Sequence, residues 1–280
     1  MTNARFLSTI IGSDKGGVGK STIAELLANA FDRNNVRLQI VEIDRQRKLS
    51  AALGQQRINL SMDPTPKFGT PESLEQYFNP VFKHWSLASS LTDLGANVTS
   101  PILNWIEHFD LDDFAQEVGI SFRFAACTTP DDQAINSALE AYKSAKRALG
   151  KNANYFVILN HTDSNSSYEP FKKNVDLVEL NRLAEENELR LLKLPYCRSS
   201  LFRMCSSEQI SLFKLIDKYK KSTASELAKE LDMEPLLLFQ NLKLLLKWLT
   251  ETQNAIAPLL DFNKSFHQNE ARLRATALNV

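Results

Sequence analysis

The chain has 280 residues, 43% hydrophobic and 24% charged, with 33 basic and 33 acidic side chains and a formal net charge of zero. This is ordinary globular composition with material for a substantial core; nothing global argues for nucleic acid or membrane, and any basic surface must be local. The three cysteines, Cys127, Cys197 and Cys205, are too widely spaced for a disulfide framework or a zinc site, and reduced thiols of a cytoplasmic protein are the simplest reading. The start of the chain lacks the basic and apolar segments of a signal peptide, and no run reaches the roughly 18 apolar residues of a membrane span.

Residues 6–11 read as a first strand, apolar on both faces. Lys15-Gly16-Gly17-Val18-Gly19-Lys20-Ser21 follows. Three glycines in four positions let successive N–H groups turn inward and form a concave anion nest. Ile23, Leu26, Leu27 and Ala30 then recur at helical spacing over 21–31, so a helix N-terminus adds its dipole to the nest. Residues 36–43 form a second strand ending at Asp44. Residues 55–83 are turn-rich and carry one helix over about 72–78. A strand over 87–91 ends at Asp93, and another over 122–127 ends in Thr128-Thr129-Pro130. A helix capped by Asp131 runs to about Leu149. Residues 155–159 are the clearest strand and end at Asn160. A helix over 172–188 and a short strand over 189–194 precede Pro195. From Ser206 the chain is helical throughout. Alternating strands and helices predict an α/β fold, a doubly wound, mostly parallel sheet, with ligands at the carboxyl ends of its strands. The expected division is a nucleotide-binding domain over 1–205 and a helical region over 206–280 packed on the same domain.

In a glycine loop of this kind Lys20 reaches the β- and γ-phosphates and the Ser21 hydroxyl ligates Mg2+. The ordinary P-loop has a glycine where this chain has Asp14, and this chain has Lys15 just ahead of the glycines. Lys15-Gly-Gly-x-Gly-Lys-Ser resembles the deviant Walker A loop of the ParA/MinD family of ATPases. The resemblance runs over about 5–203. It implies ATP and Mg2+ as ligands and a nucleotide held by Asp14, Lys15, Gly16, Gly17, Val18, Gly19, Lys20, Ser21 and Thr22. It also implies that Lys15 reaches across a dimer interface to the partner's nucleotide.

The segment from Val41 to Gly54 resembles the family's Asp-x-Asp-Pro-Gln segment, which places the water-positioning role, and a share of the metal, on Asp44. Glu42 replaces the first Asp and Arg45 the Pro. The alternative for Asp44 is the cap of a helix beginning near Gln46. Asp93 stands where a Walker B aspartate would hold Mg2+ through water, with Gly95 as a second switch. Asn160 matches the family's adenine-binding Asn, or else simply opens a turn. Pro195 and Tyr196 match the loop that covers the base. Lys15, Lys20 and Asp44 are the expected catalytic residues.

Residues 222–248 look superficially like a helix-turn-helix, but the second helix is Leu-rich and short of groove-reading side chains, so packing on the sheet or on a partner protomer is expected. Lys214, Lys218 and Lys221, with Lys220 nearby, make one basic stripe; Lys143, Lys146, Arg147 and Lys151 make another. Each is either a solvated face or a phosphate-binding surface. The four histidines show no metal-ligand spacing. Residues 270–280 lack the apolar face of a membrane-surface helix, so no membrane role is expected.

The resemblance implies a homodimer when ATP is bound, an adaptor or stimulating protein, non-specific DNA as a further partner, and a bacterial cytoplasmic protein with nucleoid association as an option. The implied role is plasmid segregation or positioning. The alternatives are a conjugation- or secretion-associated ATPase that recruits a DNA-processing complex, and a weakly hydrolysing nucleotide-bound scaffold.

Overall fold

A strand covered by helices on both faces must be apolar along its whole length, and β1 (Phe6–Gly12) buries six of its seven residues. It is the central strand of a seven-stranded parallel sheet in a computed structural model that describes residues 6–64, 71–161, 167–208 and 210–260. The chain continues through α1 (Lys20–Arg33), β2 (Gln39–Ile43), α2 (Lys48–Leu53), β3 (Leu60–Met62) and α3 (Pro71–Leu87). β4 (Ser90–Leu94), α4 (Thr99–His108), α5 (Leu111–Glu117), β5 (Ile120–Thr128), α6 (Asp132–Leu149) and β6 (Asn154–Asn160) follow. Then come α7 (Val175–Glu185), β7 (Arg190–Leu194), α8 (Ser200–Glu208), α9 (Leu212–Lys221), α10 (Ala224–Glu230) and α11 (Pro235–Ile256).

The strand order is β3-β2-β4-β1-β5-β6-β7, and every pairing is parallel. The fold is a doubly wound parallel sheet with a helical C-terminal region. Successive strand residues feed opposite faces. Ile11, Ile40, Leu91 and Ile158 pack with α1 and with Leu212, Leu238, Leu245 and Trp248 of the C-terminal helices. Ile10, Val41, Phe124 and Val157 pack on the other face with Trp85, Trp105, Tyr142 and Leu180. Glu42 and Asp93 have the same parity as Ile40 and Leu91, so both carboxylates point to the α1 face.

Several boundaries differ from the sequence reading. Leu87 closes α3 and β4 runs Ser90–Leu94, so Asp93 lies within the strand instead of after it. The turn-rich excursion holds an edge strand, β3, whose three residues are all half-buried and show no alternation to read. Its helix extends to Leu87 with Pro80 inside. α4 and α5 fill the stretch between β4 and β5, where the sequence reading names no element. α7 starts at Val175 because the Asn174 side chain caps it at Leu177 N. Asp131 caps α6 as expected, accepting from Ala134 N at 2.9 Å. The boundary expected after residue 205 falls inside α8. The Leu-rich face of α11 is core: Leu238, Leu242, Leu245 and Leu249 are buried in the α1-side cluster. Residues 270–280 lie outside the described residues.

Candidate nucleotide site

The glycine loop joins β1 to α1 at the carboxyl end of the sheet. Gly17 and Gly19 have φ of +78° and +94°, values that L side chains rarely adopt. A Cβ on Gly19 would also collide with the Asn160 amide. α1 has no side-chain cap and no acid in its first turn, so its leading N–H groups remain open to an anion. Residues 16–22 line a cavity of about 1380 Å3, together with Asp44, Gly95, Asn160, Pro195 and Tyr196.

Lys20 is buried, with its Nζ donating to the Lys15 carbonyl at 2.8 Å. Burial holds its ammonium below the usual lysine range, while Cys127, Asp93, Asp14 and Asp44 pull it partly back. Asp93 is 1% exposed, and apart from the Ser21 hydroxyl beside it no group of the described residues serves its carboxylate. Burial, with Glu42 and Asp44 adding, pushes its carboxyl up to about 7; the Ser21 hydroxyl and Lys20 oppose the shift. A buried carboxylate served by a single hydroxyl is costly, and a cation beside Ser21 would supply what Asp93 lacks. Among the described residues, no group of three or more His, Cys, Asp or Glu side chains gathers as a protein-only metal centre.

Glu42 pairs in register with Asp93 across β2 and β4 and is fully buried. Its Oε1 accepts from Leu49 N at 2.7 Å and Ser50 N at 3.1 Å, and its Oε2 from the Ser50 hydroxyl. Glu42 therefore caps α2 from within the sheet. Asp44 does not perform that capping: Arg47, at φ +52°, is the residue at the helix start and the capping carboxylate is Glu42. Asp44 instead faces the cavity and abuts the second loop. A Cβ on Gly95 would lie 2.8 Å from Asp44 Oδ1, and Gly95 N donates to the Ile43 carbonyl at 2.8 Å. Only a glycine allows the two loops to approach this closely.

Three expected nucleotide contacts are otherwise engaged. Asp14 does not line the cavity: its carboxylate caps α4, accepting from Thr99 N at 3.0 Å and from Ser100 N and its hydroxyl. A carboxylate set against a helix N-terminus is favourable there, whereas it would repel a phosphate. Lys15 also stands outside the cavity lining, with its Nζ donating to Gln133 Oε1 at 2.7 Å and lying 3.9 Å from Asp131. Asn160 does line the cavity, but its Nδ2 donates to the Val18 carbonyl at 3.0 Å, so part of the amide holds the loop. Pro195 and Tyr196 form the wall beyond β7, and the Pro195 carbonyl accepts from Trp248 Nε1 at 2.8 Å.

Sequence reasoning missed Glu42 as a cap and Trp248 as a wall of the cavity. A carboxylate in an apolar strand is a signal that it must be paired; Trp248 had none, because its contact is tertiary. In the basic clusters, Lys218 pairs with Glu230, Lys220 with Asp217, Lys143 with Glu140, Lys146 with Glu188 and Arg147 with Glu107. Among the described residues no helix is long and apolar enough to cross a membrane.

Comparison with known proteins gives the family. The model of the CbiA family, the CobQ/CobB/MinD/ParA nucleotide binding domain, matches residues 9–200. Among solved structures, the MinC:MinD cell division protein complex of Aquifex aeolicus is 14% identical. That match covers 75% of this chain and 88% of that one, with a TM-score of 0.44. The MinD cell division protein of Aquifex aeolicus is 16% identical over 80% of this chain and 96% of that one, also with a TM-score of 0.44. No curated protein sequence matches the chain. With more than half its length matched, on a parallel sheet whose glycine loop opens onto the cavity, the chain belongs to the CobQ/CobB/MinD/ParA nucleotide-binding family.

Proposed function

We propose that the chain is a Mg2+-dependent ATPase of the ParA/MinD type. Two ATP-bound protomers pair, and hydrolysis releases the pair and its partners. The observation that carries this reading is the juxtaposition of an uncapped glycine-loop helix with Asp93, whose buried carboxylate is served only by the Ser21 hydroxyl among the described residues. One feature suits a polyphosphate and the other a cation, and a nucleotide with its metal supplies both.

In this reading the N–H groups of residues 16–22 cradle the phosphates, and Lys20 leaves the Lys15 carbonyl for the β- and γ-oxygens. Ser21, Asp93 and Asp44 would hold the Mg2+, which when bound would offset the charge that builds on the phosphates. Asp44 orients the attacking water; its packing against Gly95 makes the two loops move together. Asn160, Pro195 and Tyr196 border the base. Lys15, outside its own cavity and half-exposed, serves the partner protomer's phosphates as a cation supplied in trans. The role that fits best is DNA segregation or positioning, of a plasmid above all, with an adaptor protein and DNA as partners.

Titration of the purified chain with Mg2+-ATP, read by calorimetry and light scattering, tests the reading. Binding, ATP-dependent pairing and slow turnover are expected, with pairing lost in Lys15→Ala. A chain indifferent to adenine nucleotides ends the proposal, and a Lys15→Ala variant that pairs as readily as the parent ends the switch.

A second reading, a nucleotide-bound scaffold with little hydrolysis, is favoured by one feature of the Asp44 loop. Arg47 Nη2 donates to Asp63 Oδ1 at 2.8 Å and ties down the loop in which Arg45 replaces the family's Pro. Turnover stimulated by DNA supports segregation; no turnover with DNA supports the scaffold.

A further inference from the structure

α11 lies beyond the residues that the family model matches, yet it sets the shape of the cavity wall farthest in sequence from the glycine loop. The segment between β7 and α8, residues 195–199, is tied to α11 at both ends. At its start, Trp248 Nε1 donates to the Pro195 carbonyl at 2.8 Å. At its end, Asn241 Oδ1 accepts from Ser200 N at 2.7 Å and from the Ser200 hydroxyl at 2.9 Å. The Ser199 hydroxyl donates to the Asn241 carbonyl at 2.8 Å.

Asn241 and Trp248 are each 6% exposed. They stand seven residues apart, which is two turns or about 10.5 Å along one helix face. Asn241 is itself braced by Nδ2 donation to the Leu237 carbonyl at 3.0 Å. The Trp248 ring packs on Phe202 with centroids 4.8 Å apart, and both rings line the cavity beside Pro195 and Tyr196.

We propose that Asn241 and Trp248 are positioning residues for the nucleotide base: from α11 they hold the 195–202 wall at the distance a purine ring requires. The inference rests on the reading that the cavity takes a nucleoside triphosphate. It adds that the C-terminal helices, which the family match leaves out, determine how the base is held. The phosphates are served by backbone N–H groups of the glycine loop and do not depend on α11. Base-dependent and phosphate-dependent binding therefore separate by mutation.

The test uses the full chain with Mg2+ and two probes, ATP and inorganic tripolyphosphate, measured by calorimetry. Trp248→Phe keeps the ring and removes the donor to Pro195. Asn241→Leu removes the acceptor for Ser200 together with the donor to Leu237. Losing its one buried hydrogen bond weakens ATP about fivefold in Trp248→Phe, and losing three weakens it at least as much in Asn241→Leu. Tripolyphosphate binding stays at the parent value in both. A second readout is spectroscopic. Trp85 and Trp105 are buried in the core on the opposite face of the sheet, so an ATP-induced change in tryptophan fluorescence belongs to Trp248 and disappears in Trp248→Phe.

Variants that bind ATP as the parent does overturn the inference while leaving the nucleotide reading intact. Variants that lose ATP and tripolyphosphate in step also overturn it, since α11 would then be supporting the whole fold. A parent chain that binds neither probe overturns the nucleotide reading and this inference with it.

Discussion

The two ends of the cavity are built by different means. The phosphate end is made from a contiguous stretch of backbone, residues 16–22, shaped by glycines and backed by carboxylates on neighbouring strands. The base end is made from side chains that meet only after folding: a five-residue segment after β7 fastened to Asn241 and Trp248 of α11. Local geometry tolerates little change, because the backbone itself is the ligand-binding group. Tertiary geometry degrades step by step, because each hydrogen bond contributes only about 0.5–1.5 kcal/mol. Substitutions at the first end should abolish binding, and those at the second should weaken it.

The largest expected effect is that of Gly19→Ala. An L residue held in the left-handed region costs about 1–2 kcal/mol, and the new Cβ would collide with the Asn160 amide that holds the Val18 carbonyl. ATP binding should fall by roughly 10²-fold, as expected when an anion cradle loses aligned donors, with a lower Tm in calorimetry. Lys20→Ala should match it in ATP affinity while leaving Tm unchanged or higher, since a buried ammonium is costly. Near-parental ATP affinity in Gly19→Ala would erase the contrast between the two ends.

Next in size is Glu42→Ala, which probes the support beneath the phosphate end. The change removes the acceptor for two N–H groups and a hydroxyl of α2 and should destabilise the fold by about 1–3 kcal/mol. Because α2 follows directly on the Asp44 loop, turnover should fall more than ATP affinity. Glu42→Gln, which keeps one acceptor, should recover most of the stability. Equal losses in affinity and turnover would show that Glu42 supports the sheet and not the switch.

The same division decided what could be read from the sequence. The glycine loop, the strands β1, β5 and β6, and the capped helix α6 are each encoded within one continuous stretch of the chain, and their periodicity and punctuation were sufficient. β3 was not legible because three half-buried residues at a sheet edge carry no alternation. α4 was missed although its cap is Asp14, because the cap comes from a loop 85 residues earlier. Asp14 illustrates the limit: the resemblance counted it among the nucleotide-binding residues, whereas the fold sets its charge on a helix N-terminus. For Trp248 and Asn241 the sequence showed only a Leu-rich helix, since partners about 40 to 50 residues away are fixed by packing.

A smaller effect is expected where the two regions touch. Glu25 of α1 is buried against the start of α9: the Ser211 hydroxyl donates to its Oε1 at 2.9 Å, Leu212 N donates to it, and Lys214, Arg57 and Cys205 lie around it. Burial pushes its carboxyl up to about 7, against the pull of those donors and cations. Between its ordinary value of 4.5 and about 7 the folded chain holds a proton that the unfolded chain has released. Its contribution to stability is therefore full below pH 4.5, declines as pH rises, and is gone above about 7. Asp93 adds a decline of the same sign. Glu25→Gln keeps the acceptor for Ser211 without the titration, so the fall in Tm from pH 5 to pH 8 should become shallower without vanishing. An unchanged fall would assign the whole slope to Asp93 and its neighbours.

The smallest effect belongs to a surface that serves neither end. Lys218 on α9 is half-exposed and paired with Glu230 of α10. Exposed pairs of this kind contribute about 0–1 kcal/mol, so Lys218→Ala should leave Tm and ATP affinity at parental values. That neutrality makes the residue a clean probe of DNA contact. Among the described residues neither Lys221 nor Lys214, which lies near the buried Glu25, forms an ion pair, whereas Lys218 must give up Glu230 before it can meet a phosphate. If the α9 stripe touches DNA in the ATP-bound state, reversing Lys214 and Lys221 to Glu should lower the salt slope of binding by about two. Adding Lys218→Glu should then change the slope little, because its contribution is already offset by Glu230. Equal decrements from all three lysines would mean that DNA competes successfully for Lys218, and an unaltered slope would place any DNA contact elsewhere on the molecule.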